Sequence, residues 1–341
     1  MQSKYRELIA SSAMIVICLA LLVGCAAPQP QQEAKLPKLT LVGPAGPMTI
    51  PLAYLVENNK LADIAEETEL VIWENPEQLR AIVSGGQQAH FVTLPSNAAA
   101  TFYNKGMDLQ MLDITVWGIL YVVSADPDIK SIEDLRGKEV VVPFKGNMPD
   151  LLFNYICERK GISTATDLTI FYANSPQQAA QLILSGQKTI SVLTEPLTTQ
   201  VLMRAKGAGM PLYRSIDIQK EWSEATGMGE RIPIAGTATL PTIKDNPAVI
   251  ERFMQEYSQA VQWLKDNPDQ AGALAAEIEQ LGFEAGPVAE SVQNTRWDFT
   301  QVKDCQQDIE TFFTALADLD PAAIGGKLPD EGLYYEGIQL K

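Results

Sequence analysis

The chain has 341 residues, of which 46% are hydrophobic and 20% charged, and its formal net charge is −16. This composition argues against a disordered chain, and the acid excess argues against a nucleic-acid binder, because phosphate contacts need Lys and Arg. The length suits two α/β domains.

At the N-terminus, Lys4 and Arg6 precede an apolar run from Met14 to Val23. The run is short for a membrane span and has a secretory layout. It ends in Leu22, Val23, Gly24 and Cys25, which match the bacterial lipobox. That match predicts cleavage before Cys25 and lipid on its thiol. Residues 1–24 are therefore read as a lipoprotein signal peptide, and residues 25–37, rich in Pro and Gln, as a tether. Of the four cysteines, Cys18 leaves with the signal and Cys25 is lipidated. Cys157 and Cys305 remain, with no CxxC and no Cys/His cluster, so neither a metal nor a cofactor is expected. A disulfide between them is compatible with an oxidising compartment, but two small buried thiols is the favoured reading.

From Lys38 onward, strand and helix alternate. "LTLVGP" is strand-like, and "TIPLAYLVENNKLAD" reads as a helix capped by Thr49. "ELVIW" is a strand ending at Trp73. "NPEQLRAIVSGG" is a helix with Asn75 as cap and Pro76 at its first position. "HFVTLP" is a strand, "SNAAATFYNKG" a helix, and "DLQMLDITVWGILYVVS" two strand-like runs. A second block follows "ADPDIKSIEDLRGK", where Ser131 and Asp134 have capping-box spacing. Its strands are "EVVVPF", "DLTIFYA" and "TISVLTEP", and its helices "MPDLLFNYICERKG" and "SPQQAAQLILSG". After "RIPIAGTATLP" the chain turns helical, and the closing "GLYYEGIQLK" receives no assignment.

The two blocks repeat each other. Lys38, Gly46 and Met48 recur as Lys138, Gly146 and Met148, and "NPEQLRAIVSGGQ" recurs as "SPQQAAQLILSGQ". Repeated strand–helix units predict an α/β fold with mainly parallel sheets flanked by helices. Ligands in such folds bind beyond the carboxyl ends of strands, where helix N-termini present free N–H groups. The repeated turn is thus expected to line one cleft, once from each lobe.

The chain resembles ABC-importer substrate-binding lipoproteins of the nitrate/sulfonate/taurine (NitT/TauT) type, from about Lys38 to about Asp318. The motifs that carry the resemblance are "GPAGP", "NPEQLRAIVSGGQ", "DLQMLDITVWG", "SIEDLRGKEVVVPFKGNMPD" and "SVLTEPL", in that order. The resemblance implies a two-lobed periplasmic-binding-protein fold of type II with two hinge crossings. The lobes are placed at residues 38–121 with 236–341, and at 122–235. The crossings are placed near Tyr121–Asp126 and Arg231–Gly236. It further implies a non-catalytic monomer outside the cytoplasm, lipid-anchored to the cell membrane. Such a protein captures a small molecule and hands it to an ABC permease and its ATPase. An enzyme on the same fold, similar to pyrimidine synthases, and a non-transport sensor are the alternatives. Relatives usually carry an acidic residue where this chain has His90, its only histidine, which is read as a strand-edge residue.

Cleft candidates are the residues at predicted strand ends and helix starts: Ala45, Gly46 and Met48; Trp73 and Glu74; Thr93, Ser96 and Asn97; Trp117. The second block contributes Lys145, Asn147, Met148 and Asp150; Tyr172; and Thr194 and Glu195. Ser96, Asn97 and Asn147 are equally helix caps, and Trp73 and Trp117 are equally core residues. Lys145 is the one basic residue in this set, Glu74 and Glu195 end two strands, and Asp150 already places a carboxylate on a helix start. The set therefore predicts a neutral or cationic organic ligand, such as a heterocycle, over an oxyanion.

Overall fold

A computed structural model describes residues 35–86 and 88–337. The signal, the lipobox with Cys25 and most of the tether lie outside these residues. In chain order the first elements are β1 (Leu36–Pro44), α1 (Thr49–Glu57), β2 (Ala65–Trp73), α2 (Pro76–Ala81), β3 (Phe91–Pro95) and α3 (Ser96–Asn104), followed by β4 (Gln110–Met111) and β5 (Asp113–Val116). Next come β6 (Leu120–Ser124), β7 (Glu139–Pro143), α4 (Met148–Arg159), β8 (Thr169–Ala173), α5 (Pro176–Leu184), β9 (Ile190–Thr194), α6 (Leu197–Gly207), β10 (Tyr213–Asp217) and α7 (Ile218–Thr226). The chain closes with β11 (Ala235–Thr239), α8 (Pro247–Asp266), α9 (Pro268–Glu277), α10 (Ala285–Ser291), β12 (Trp297–Gln301) and α11 (Val302–Leu319).

The strands form two sheets. The first has the order β12-β5-β11-β3-β1-β2, with β4 beside β11, and the second the order β10-β6-β9-β7-β8. In each, a central strand pairs parallel with two neighbours: β1 with β2 and β3, β7 with β8 and β9. Central parallel strands are covered on both faces, which is why Leu39–Val42 and Val140–Val142 read as nearly unbroken apolar runs. The remaining pairings are antiparallel, so the sheets are mixed rather than mainly parallel.

The internal repeat is visible at atomic detail. Asn75 Oδ1 accepts from the Gln78 N–H at 3.0 Å while Gln78 Oε1 accepts from the Glu74 N–H at 2.7 Å. One hundred positions later, Ser175 Oγ accepts from Gln178 N–H at 3.1 Å and Gln178 Oε1 from Asn174 N–H at 2.6 Å. Both helices begin with Pro at the first position, where the missing N–H costs nothing. The turns before α1 and α4 match as well: Ala45 N–H donates to Trp73 C=O at 2.7 Å, and Phe144 N–H to Ala173 C=O at 3.0 Å.

Several boundaries differ from expectation. β1 starts at Leu36, inside the expected tether, because Leu36 N–H reaches Ile64 C=O at 2.9 Å. The chain leaves the first sheet at Val116 and joins the second at Leu120, so the passage is residues 117–119; Tyr121–Ser124 already belong to β6. On the return, Ile232 N–H donates to Trp117 C=O at 2.9 Å and Ile234 N–H to Val116 C=O at 3.0 Å. Beside them, Trp117 N–H donates to Arg296 C=O and Arg296 N–H to Gly118 C=O, both at 2.9 Å. Gly236 follows, and only glycine fits: a Cβ there would lie 1.8 Å from the Asp113 carbonyl oxygen. The described part of the unassigned C-terminal stretch starts within a short 3-10 turn, Glu331–Leu333, and Tyr334 bridges to Met111.

Candidate functional site

The strand ends of both sheets meet at a cavity of about 300 Å³. From the first sheet, Trp73 ends β2 and Glu74 follows it, and Asn97 with Phe102 comes from α3; from the second, Phe144 and Asn147 join β7 to α4, which starts at Met148. The volume is at the lower end for a small-molecule site. Its walls mix apolar side chains with a few polar groups. The Trp73 Nε1 is shielded from solvent and has no hydrogen-bond partner among the described residues. Asn97 Nδ2 donates to Ala323 C=O at 3.2 Å. Asn147, read as a helix cap, makes no side-chain capping bond.

Two cavity features were not legible. Phe144 sits at φ 55°, a left-handed conformation that a bulky residue adopts rarely and at a cost of about 1–3 kcal/mol. Its N–H bond to Ala173, and its carbonyl bond from Asn147 N–H at 2.9 Å, hold it there. Arg80, in the last turn of α2, also lines the cavity. A search confined to strand ends and helix starts passes over it and finds Lys145 as its one basic residue. Glu74 and Arg80 give the lining one charge of each sign.

Two turn N–H groups beside the cavity are already engaged. Asp150 Oδ2 accepts the Gly146 N–H at 2.8 Å, while Asn154 Nδ2 holds Asp150 Oδ1 at 2.5 Å. On the facing side Gln78 occupies the Glu74 N–H.

Other sequence candidates lie elsewhere. Ala45, Gly46 and Met48 form the turn beside Trp73, outside the cavity lining. Lys145 and Asp150 border a separate depression of about 560 Å³ along α4, and Lys145 Nζ lies 5.0 Å from the Tyr172 ring centroid. Thr93 and Ser96 are buried; Ser96 Oγ donates to Pro233 C=O at 2.5 Å, tying α3 to the return passage. Trp117 is 1% exposed, with Nε1 on Asp298 C=O at 2.8 Å and the Arg231 guanidinium 3.8 Å from its ring. Thr194 is a register partner of Leu120. Glu195, 1% exposed, is paired with Arg214 and accepts the Thr199 N–H at 3.1 Å, so it completes the start of α6.

His90 also has a structural partner: its Nδ1 accepts the Thr40 N–H at 3.0 Å. Burial lowers its pKa and Glu69 partly offsets this, so the ring is held neutral. Cys157 and Cys305 are free and buried, and burial pushes the Cys157 thiol up to about 12. Among the described residues, no group of three or more His, Cys, Asp or Glu is placed to hold a metal ion.

Two mixed sheets flanked by helices, with strand ends facing one cavity, define the periplasmic-binding-protein fold, and solved structures share it. An ABC transporter from Parabacteroides distasonis is 22% identical with a TM-score of 0.74, over 88% of this chain and 99% of that one. The periplasmic aliphatic sulphonate binding protein SsuA of Escherichia coli is 17% identical, with a TM-score of 0.65 over 89% and 94%. The periplasmic nitrate-binding protein NrtA of Synechocystis PCC 6803 is 12% identical, with a TM-score of 0.63 over 84% and 82%. No functionally curated protein matches the chain. A family model matches residues 76–279, and the chain belongs to the NMT1-like family.

Proposed function

We propose that this chain is an extracytoplasmic solute-binding lipoprotein that captures a small organic molecule between two lobes and delivers it to an ABC permease and its ATPase. The observation that carries this reading is the meeting of strand ends from both repeated halves on one cavity, with Trp73 and Asn97 on one side and Phe144 and Asn147 on the other. The likeness to importer components such as SsuA and NrtA supports it. The lobes are the two sheets with their helices, and the laced passages at residues 117–119 and 232–234 are the hinge. The protein acts as a monomer and does no chemistry on its ligand.

The ligand is neutral overall. Glu195 is spent on Arg214, and Glu74 and Arg80 leave the lining without net charge. The Trp73 and Phe144 rings and the Asn97 and Asn147 amides suit a flat ring bearing polar substituents. Calorimetric titration with nitrogen heterocycles, taurine, alkanesulfonates and nitrate tests this. We expect a heterocycle to bind and Trp73→Ala to weaken it by at least about tenfold, or roughly 1.4 kcal/mol. Tight taurine or alkanesulfonate binding that is indifferent to Trp73→Ala sinks the ligand assignment. Recovery of the bound compound unchanged by mass spectrometry is expected; steady product formation favours the enzyme alternative.

Anchoring is tested separately. Among the described residues no helix is long and apolar enough to cross a membrane, and attachment is assigned to lipid on Cys25. One acyl chain binds only marginally, so several chains account for stable attachment. Cys25→Ala should move the protein from the membrane to the soluble fraction, or leave it with its signal uncleaved. A cleaved variant as membrane-bound as the parent overturns the lipid assignment.

A further inference from the structure

The segment after α11 has no counterpart in the repeated halves, yet it reaches the cavity. α11 packs against β5 and β12 of the first sheet and against α4 of the second. Its Phe312 meets Trp222 of α7 edge-on, with centroids 5.6 Å apart. The chain then enters a 3-10 turn, Pro321–Ile324, capped by Asp320 Oδ1 on the Ala322 N–H at 2.9 Å.

Side chains of α3 grip this turn by its carbonyls. Asn97 Nδ2 and Thr101 Oγ1 both donate to Ala323 C=O at 3.2 Å. Asn104 Nδ2 donates to Ile324 C=O and Lys327 C=O, each at 2.6 Å. Gly325 adopts φ 80°, and a Cβ there would lie 3.0 Å from Thr101 Cα, so the backbone sits flush on the helix. Ala322 and Ala323 line the 300 Å³ cavity, whereas Leu319 and Asp320 line the 560 Å³ depression, and Gly146 borders both. The turn therefore stands between two spaces that both border α4.

We propose that the Asp320–Gly325 turn is the specificity-determining wall of the cleft, with Ala322 and Ala323 setting the size of ligand admitted. The assignment rests on the cleft reading given above. Its grip is on backbone carbonyls, so it does not depend on which side chains stand at 322 and 323. Both are alanine and both border the cavity; Ala323 is buried, whereas Ala322 is exposed and leaves a larger side chain room there.

The test uses the full chain in detergent with Cys18→Ser and Cys25→Ser, which leaves only the buried Cys157 and Cys305 as native thiols. Ala322→Cys is labelled with monobromobimane, whose emission is quenched by indole contact, and Trp73 is the tryptophan that lines the cavity. Emission should be severalfold lower than in the same variant carrying Trp73→Phe; equal emission overturns the placement of the wall. In a second arm, Ala322→Leu should melt no lower than the parent, because Ala322 is exposed where it borders the cavity, whereas overpacking is destabilising. A clear drop in Tm counts against the proposal. Nicotinamide and taurine are then titrated as probes. Whichever the parent binds should be weakened at least about tenfold by Ala322→Leu; undiminished binding overturns the wall and leaves the cleft standing. A parent that binds neither probe counts against the cleft reading alone, and the bimane and melting arms still decide the wall.

Discussion

Replacing Arg214 by alanine should cost about 3–5 kcal/mol of folding stability, the usual penalty for stripping a buried charge of its partner. The charge is Glu195, 1% exposed at the end of β9. Its Oε2 accepts the Thr199 N–H at 3.1 Å, Arg214 Nη2 reaches Thr199 Oγ1 at 3.0 Å, and the guanidinium lies 4.4 Å from the Tyr121 ring centroid. Burial pushes the Glu195 carboxyl up, and Arg214 pulls it back. Without the arginine, burial is opposed only by the Thr199 hydrogen bonds, so Glu195 takes up a proton more readily and the loss shrinks in acid. Adding Glu195→Gln should recover most of the stability, because the amide keeps an acceptor for Thr199 and carries no charge. Chemical denaturation of the two single variants and the double variant measures this. An additive double variant would mean that the two side chains do not interact.

Asp113→Asn should stabilise the protein above neutral pH. Asp113 is fully buried in β5, with Thr115 Oγ1 donating to its Oδ1 at 2.6 Å and Thr237 bonding both of its oxygens. Burial raises its pKa from 3.8 to about 7 against the lowering effect of these hydrogen bonds. The folded state thus keeps a proton that the unfolded chain releases near pH 4. Stability from this group is complete below that point, falls as pH rises, and is gone above about 7. The shift is worth on the order of 4 kcal/mol. Asparagine mimics the protonated form, with Nδ2 toward Thr237 Oγ1. The variant should gain over the parent at about pH 8 and match it near pH 4. Denaturation midpoints that differ by the same amount at both pH values would rule out titration of Asp113.

Much of the architecture was legible because it is written twice. Two strand–turn–helix blocks with Pro-led helices recur at a fixed offset, and the Asn75/Gln78 and Ser175/Gln178 caps show that the recurrence is structural. Trp73, Glu74, Asn97, Asn147 and Met148 were legible as cavity residues, since a strand end followed by a helix start is a local pattern. Glu195 looked the same locally but belongs elsewhere. Its partner Arg214 lies on β10, a strand with little apolar signal that is placed only by antiparallel pairing to β6. Trp117 stands in an apolar run with no alternation, so sequence gives it no inside or outside. The reach of Ala322 and Ala323 into the cavity depends on where a long helix ends, and the positive φ of Phe144 on bonds to residues in other elements.

Residues 116–118, 232–234 and 296 run side by side, stitched by backbone bonds of 2.9–3.0 Å. On the hinge reading proposed above, such a bundle would act as a leaf spring: bending across its thin direction leaves the stitches whole, whereas shear and torsion break them. Travel between the proposed open and shut forms would then be confined to one soft coordinate, and each closure would bring Asn97 back opposite Asn147 and Phe144 back over the same gap.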